Sequence, residues 1–354
     1  MSGLGVAREA VSRSLRTLVL EADVCGKATS DNTLRIIHGG FRYLQTLQIP
    51  RVFRSLGDQS FVCRQYPQAV QPLPCLMPLA RFGLKSRIPV TAAALTYGTA
   101  MWMTGSPLAV PRVISGREFG EIFPSLADRG SRGALCWHDA VMTRPDLISS
   151  ALLKEISSHG GVIQEHSTVS SVREDASGFI VTTSQGEFTS ARVINTLGPW
   201  LGSIDIQPGL TGKRSLWCKG FNIVTRKRLH ATHAIGVEGG GRLFFCVPRG
   251  EGTAVGTWYV PVSELSVTEK PCVSDAELDH FLAAFNAAVP EFPIVKEDIV
   301  EVDVGVLPMR RDGAKGPELY GSEIISSVRG YAEVVSTKYT TFRSQGVKAL
   351  AALR

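Results

Sequence analysis

The sequence predicts an α/β architecture in which an antiparallel, β-rich block is set inside an α/β frame. Three observations predict it. Helical and strand patterns interleave along the chain. Residues 215–260 read as successive antiparallel strands joined by glycine turns. The chain opens on a helix, a short β-type run and a terminal acid. At 354 residues the chain suits one large domain or two interlocked ones, and 44% hydrophobic with 20% charged residues excludes wholesale disorder.

The elements follow in order. Leu4, Ala7, Val11 and Leu15 recur at helical spacing over residues 4–15, and Arg16–Glu21 is a β-type run ending in an acid. Residues 23–37 are polar and turn-rich, and a helix-like pattern runs from Tyr43 to Leu56. Residues 72–125 are rich in Pro and Gly, with helical pieces. Within them Ile88–Pro111 is the longest uncharged run. Pro89, Gly98, Gly105 and Pro107 interrupt it, so a buried or interfacial helix is expected there rather than a membrane span. Asp146–His159 is a clean helix pattern ended by Gly160-Gly161. Strands are expected at Ser170–Val172 and Gly178–Ser184, with a turn at Gln185-Gly186, and Val193–Thr196 reads as a buried strand running into Gly198-Pro199. The β-rich block turns at Glu238–Gly241 and Arg249–Gly252. Leu278, Phe281, Leu282 and Phe285 mark an amphipathic helix over 274–289. Strands at Ile299–Val306 and Ile324–Val328 and a last helix over Thr341–Leu353 complete the chain, which has no repeat and no low-complexity tract.

The net charge is +6 and the pI about 9.0, but the basic residues are scattered, so no nucleic-acid partner is expected. A basic pocket for a small anionic ligand and an anionic membrane surface explain the charge equally well. The seven cysteines form no C-x-x-C pair, and their odd number points to a reducing compartment. Acids and arginines run through the first apolar stretch, so it is not a secretory signal. A cytoplasmic protein is expected, with peripheral contact to the inner face of the membrane left open.

The opening pattern fits a dinucleotide-binding fold. There a glycine turn precedes the first helix, whose N-terminus faces a pyrophosphate, and an acid ending the second strand bonds the ribose. Gly3 and Glu21 are the candidates. The glycine turn is incomplete, so a terminal glycine and a surface acid remain the alternative reading of the same two residues.

Residues 28–44 read ATSDNTLRIIHGGFRYL. This resembles the FAD-dependent glycerol-3-phosphate dehydrogenase family, within the wider glycine-oxidase-like FAD oxidoreductases. Arg16–Glu21 is similar to that family's second strand and ribose acid, and Asn195–Trp200 to its N-A-x-G-P-W return strand. Gly256-Thr257 stands where the family has G-T, and Thr337–Arg343 resembles its G-K-x-T-T-[YA]-R closing motif. The resemblance covers nearly the whole chain in the right order. It implies a Rossmann-like FAD-binding domain, its first strand missing, interlocked with an antiparallel-sheet substrate domain. The first would comprise 1–55, 140–205 and 320–354, the second 56–139 and 206–319.

The resemblance also implies residue roles. FAD contacts would be Gly3, Glu21, Thr29, Ser30, His38, Gly39, Gly40, Val169, Thr196, Gly198, Lys338, Thr340 and Thr341. His38, Arg42, Tyr43 and Lys338 would serve the chemistry, with Arg42 and Tyr43 binding the substrate anion. His38 is as readily a structural histidine. Gly39 and Gly40 would let backbone approach the flavin ring, and the helix start at Thr340-Thr341 would favour its anionic edge on reduction. The implied reaction moves a hydride from an alcohol to the flavin, with quinone or oxygen as final acceptor.

The pattern departs from the family in four places. The chain begins inside the nucleotide motif, so a preceding strand is expected upstream of Met1. Leu307 stands where the family has a phosphate-binding arginine, and Asn222 where it has a histidine. The chain ends one helix after the closing motif, without the family's C-terminal helical domain. An amine or 2-hydroxy-acid oxidase, or a flavin-poor non-catalytic remnant, are therefore the alternatives. His230-x-x-His233 lacks a third ligand at metal-site spacing, so no metal is expected.

Overall fold

The structure, a computed structural model, describes residues 1–210, 216–262, 270–313 and 316–353. Helix α1 (Ser2–Ser12) buries Leu4, Val6, Ala7, Ala10 and Val11 and leads into strand β1 (Leu18–Leu20). After the polar loop come β2 (Ile36–Ile37), a 3-10 stretch over Phe41–Thr46 and helix α2 (Ile49–Gln65). The helix-like pattern from Tyr43 to Leu56 is thus two pieces. Pro50 cannot join them, because its ring would meet the carbonyl four residues back, and Leu47 breaks the chain at φ 53°.

The Pro/Gly-rich stretch contains more strand than its composition suggests: β3 (Val70–Pro78), α3 (Arg87–Met103), β4 (Arg112–Ile114) and α4 (Gly116–Ile122). Pro72, Pro74 and Pro78 fall on alternate positions, so their missing N–H groups all lie on one side of β3. The other side forms the full antiparallel ladder with β5 (Ala134–Met142). Then follow α5 (Pro145–Ser158), β6 (Val162–Gln164), β7 (Val169–Asp175), β8 (Gly178–Thr183), β9 (Gly186–Ser190), β10 (Val193–Asn195) and β11 (Asp205–Ile206). The expected β-rich block is β12 (Leu216–Thr225), β13 (Ala234–Gly239), β14 (Arg242–Arg249) and β15 (Gly252–Val262). Residue 215, where its sequence pattern begins, lies outside the described residues. The chain closes with α6 (Asp275–Ala288), β16 (Ile299–Gly313), β17 (Gly316–Leu319), β18 (Ile324–Val328), β19 (Tyr331–Val335) and α7 (Phe342–Ala352).

Ten strands make one large sheet in the order β17-β16-β12-β15-β14-β13-β3-β5-β2, with β4 on β5. Its core lies partly under α6, where Phe221, Phe244, Phe281 and Phe285 meet, and partly under α2 and α3 around Tyr97 and Trp137. The Rossmann-like region is assembled around α1, α5 and α7. Parallel pairs there include β1 with β6 and β10 with β19, and α1 reaches both: it packs on β1, and Gly3 lies beside Thr196, just past β10. Gly5 and Gly346 bring α1 and α7 into backbone contact, because a Cβ on Gly5 would overlap the Phe342 carbonyl and one on Gly346 the Gly5 carbonyl. The architecture is the expected α/β frame with an interlocked antiparallel sheet.

Candidate active site

The first turns of α1 and α7 converge. Ser2 Oγ donates to Gln345 Oε1 at 2.8 Å, and Gln345 Nε2 donates to Thr341 Oγ1 at 2.6 Å. Gln345 is fully buried, so two helix N-termini, each positive by its dipole, are tied side by side. Thr340 and Thr341 are buried at the start of α7, where Thr341 Oγ1 also donates to Lys338 O at 3.1 Å. Around α1's start stand Ser30, whose Oγ accepts from the Met1 ammonium at 3.1 Å, and Thr196. Glu21, just past β1, accepts from Asp23 N at 3.0 Å and acts electrostatically on the Met1 ammonium, whose pKa burial lowers. Glu21 and Thr196 stand just past the carboxyl ends of β1 and β10, the end at which open α/β sheets bind ligands.

The remaining cofactor candidates divide. Gly198, at φ +60° with open space where a Cβ would stand, opens the turn after β10. Thr29 spends its hydroxyl on the large sheet, accepting from Val306 N at 3.1 Å. Val169 packs with Leu20 and Val193 in a small apolar cluster. Two buried polar atoms on the segments bordering the crevice have no partner, Ser167 Oγ and Trp200 Nε1, and Ser167 N bonds to Glu21 O. A crevice with an acid, paired helix N-termini and spare hydrogen-bonding atoms fits an FAD dinucleotide.

The His38-Gly39-Gly40 loop is held by one carboxylate. Asp139, buried in β5, accepts from Gly39 N at 2.8 Å and Gln59 Nε2 at 3.0 Å on one oxygen. On the other it accepts from Trp137 Nε1 at 3.2 Å and lies 3.1 Å from His38 Nδ1. Burial pushes the Asp139 carboxyl up, but the bonds from His38, Gly39 and Trp137 outweigh it and hold the pKa below its ordinary value. The His38 side chain stays half-exposed, with its edge toward Phe245. The glycines have a reason beyond approach to a ring. A Cβ on Gly39 would overlap the Tyr97 hydroxyl, and Gly40 has φ +85° against Tyr43 and Ser55. The loop needs both glycines to pack on α2 and α3.

Three distant segments then meet at a cationic cluster. Lys338 Nζ lies 4.3 Å from the centre of the Tyr43 ring, and the Arg51 guanidinium 3.8 Å from the same centre. Burial, and then the nearby Arg42 charge, pull the Lys338 ammonium down to about 8. Tyr259 is half-buried in β15. Burial raises its phenol, while the Thr257 side chain and the Arg42 charge act against the rise. Thr257 Oγ1 donates to Asn222 Oδ1 at 2.7 Å, and Leu307 lies beside Tyr259 across Gly220. Arg311 pairs with Glu318 in solvent, so it supplies no second guanidinium. Sequence reasoning passed over Asp139 and Tyr259. A lone acid inside the apolar run Ala134–Met142 signals the first; nothing local signals the second.

Residues 1–332 match the family described as FAD dependent oxidoreductase. A glycerol-3-phosphate dehydrogenase of Synechocystis sp. is 24% identical over 98% of this chain and 67% of its own length. The chain spans 64% and 52% of two further curated relatives. Among solved structures, a glycerol-3-phosphate dehydrogenase from Bacillus halodurans complexed with FAD superposes at TM-score 0.70, with 18% identity, over 99% of this chain and 62% of that one. Glycine oxidase from Geobacillus kaustophilus superposes at 0.69, with 18% identity, over 99% of this chain and 91% of that one.

Proposed function

The chain belongs to the FAD dependent oxidoreductase family, and from that premise we propose that it oxidises a small anionic substrate at a carbon bearing a hydroxyl. The gathering of Arg42, Tyr43, Tyr259 and Lys338 carries this reading. FAD, held by Glu21, Ser30, Thr196, Gly198, Thr340 and Thr341 at the paired helix starts, would supply the hydride acceptor. Arg42 grips the substrate's carboxylate or phosphate with its two-pronged guanidinium. Lys338, with a pKa near 8, adds a positive charge when protonated and takes up the hydroxyl proton when neutral. Tyr259 donates a hydrogen bond from the sheet side. His38, its Nδ1 proton directed to Asp139, keeps Nε2 free to accept a proton. Quinone or oxygen then takes the electrons.

A glycerol-3-phosphate-like alcohol is supported by the likeness to the Synechocystis protein. A second reading, an amine or 2-hydroxy-acid oxidase of the same fold, is favoured by Leu307 and Asn222. With Leu307 beside Tyr259, Arg311 turned to Glu318 and Arg51 spent on Gln48 Oε1 and Gly321 O, Arg42 is left to grip the anion, which suits a singly charged acid better than a phosphate. The test is anaerobic flavin reduction with a panel of phosphorylated and carboxylated alcohols and amines. A carboxylated substrate should outperform glycerol 3-phosphate, and Arg42→Lys should lower kcat/KM about 10- to 100-fold at unchanged flavin content. A wide preference for glycerol 3-phosphate overturns the reading of Leu307. A silent Arg42→Lys removes Arg42 from the anion site. Purified protein without flavin absorbance, and unable to take up added FAD, would support the non-catalytic alternative.

A further inference from the structure

Arg51 stands in the first turn of α2, and its motif assigns it no role. The chain doubles back to bring it there: Leu47 adopts φ 53°, and Gln48 N donates to Tyr43 O at 3.0 Å. The first turn of α2 therefore lies against the Tyr43 ring, and the Arg51 guanidinium stacks 3.8 Å from the ring centre. The edge of the same guanidinium is also engaged. Nη1 donates to Gln48 Oε1 at 3.0 Å, and Nη2 donates to Gly321 O. A Cβ on Gly321 would meet Arg51 Nη1 at 2.8 Å, so a glycine there leaves the guanidinium its room. One turn further along α2, Arg54 pairs with Glu323 at 3.3 Å, and Lys348 of α7 bonds to the same carboxylate. The start of α2 is thereby clasped to the loop before β18.

The Tyr43 ring also meets Lys338, whose Nζ is 4.3 Å from its centre. Two cations on one face of a ring would lie within a few ångströms and act strongly on each other. Lys338 feels the Arg42 charge and not that of Arg51, so the ring separates the two. Arginine suits this place because its planar group stacks with its face while its N–H groups bond in the plane; a lysine ammonium cannot do both. We infer that Arg51 is a positioning residue, which clamps the Tyr43 ring against Lys338 and, through Gly321, anchors that ring to the loop before β18. The inference rests on the reading of Arg42, Tyr43 and Lys338 as the anion site. Lys338 is faced by Arg42, by Tyr43 and, across the ring, by Arg51, so its titration reports on the clamp.

The test is carbon-13 NMR of lysine Cε across pH on the full chain, with the Lys338 signal assigned by its loss in Lys338→Met. The parent should titrate at about 8. Arg51→Met frees the ring, admits water to Lys338 and should raise that midpoint by about one pH unit or more. Arg51→Lys should not restore the parent value. Gly321→Ala, which displaces the guanidinium and leaves α2 unaltered, should shift the midpoint in the same direction. Tyr43→Leu should shift it alike, and Arg51→Met added to Tyr43→Leu should shift it no further, because Arg51 acts through the ring. A midpoint that both Arg51→Met and Gly321→Ala leave in place overturns the inference, as does a further shift in the double variant. The titration needs no substrate, and calorimetry with inorganic phosphate checks the anion site separately. A Lys338 that shifts as expected in a chain that binds no phosphate upholds the clamp and overturns the anion-site reading.

Discussion

Asp139→Asn removes one charge from β5 and little volume, yet four donors converge on that carboxylate: Gly39 N, Gln59 Nε2, His38 Nδ1 and Trp137 Nε1. An amide offers one accepting oxygen and one NH2. If the oxygen faces Gly39 and Gln59, the NH2 faces His38 and Trp137. The imidazole adapts by presenting an Nδ1 lone pair; the buried indole N–H cannot. A bond to a charged acceptor contributes about 1.5–3 kcal/mol, and an unsatisfied buried donor costs about 1–3 kcal/mol, so a loss of about 2–5 kcal/mol is expected. His38 would then carry its proton on Nε2, closing the acceptor position that the parent tautomer leaves open. The pH dependence has a definite sign. The Asp139 pKa is depressed in the fold, so the stability it contributes is present above the unfolded carboxylate pKa and fades as pH falls through the lower folded value. The variant should lose that acid limb. Thermal melting across pH measures the stability, and nitrogen-15 NMR of the imidazole reads the tautomer. A variant that melts as the parent does, with the proton still on Nδ1, refutes the reasoning.

Three further outcomes follow. Gly5→Ala should destabilise by about 1–3 kcal/mol, because the added methyl overlaps the Phe342 carbonyl at the α1–α7 crossing; an unchanged melting temperature would mean the crossing yields freely. Glu21→Ala should weaken FAD by about 1.5–3 kcal/mol through lost ribose bonds, and equal affinity in a fluorescence titration would assign Glu21 to the surface. Lys338 has its folded pKa lowered to about 8, so its buried charge costs stability below that pH, and the cost fades between there and the unfolded lysine value. Inorganic phosphate should accordingly bind more weakly as pH rises through about 8, and Lys338→Met should flatten that dependence in calorimetry.

Local chemistry alone determined much of this protein. The helical periods of α5 and α6, the glycine turns between β13, β14 and β15, and the helix start at Thr341 depend on residues within a few positions of one another. The motifs around His38 and Lys338 likewise pointed to an FAD-dependent oxidoreductase, because each is a short run of neighbouring residues. Tertiary structure decided the rest. β3 carries three prolines and reads as loop until β5, some sixty residues on, supplies a partner for the side that still has its N–H groups. Asp139 is an isolated acid in the sequence and becomes the hub of the His38 loop only when β5, α2 and that loop pack together. Arg42, Tyr259 and Lys338 lie more than two hundred residues apart at the extremes, and their charges act on one another only because the large sheet and the turn before α7 close on the same point. Propensity and capping act over one or two turns of chain, whereas burial and Coulomb energy depend on distance in space.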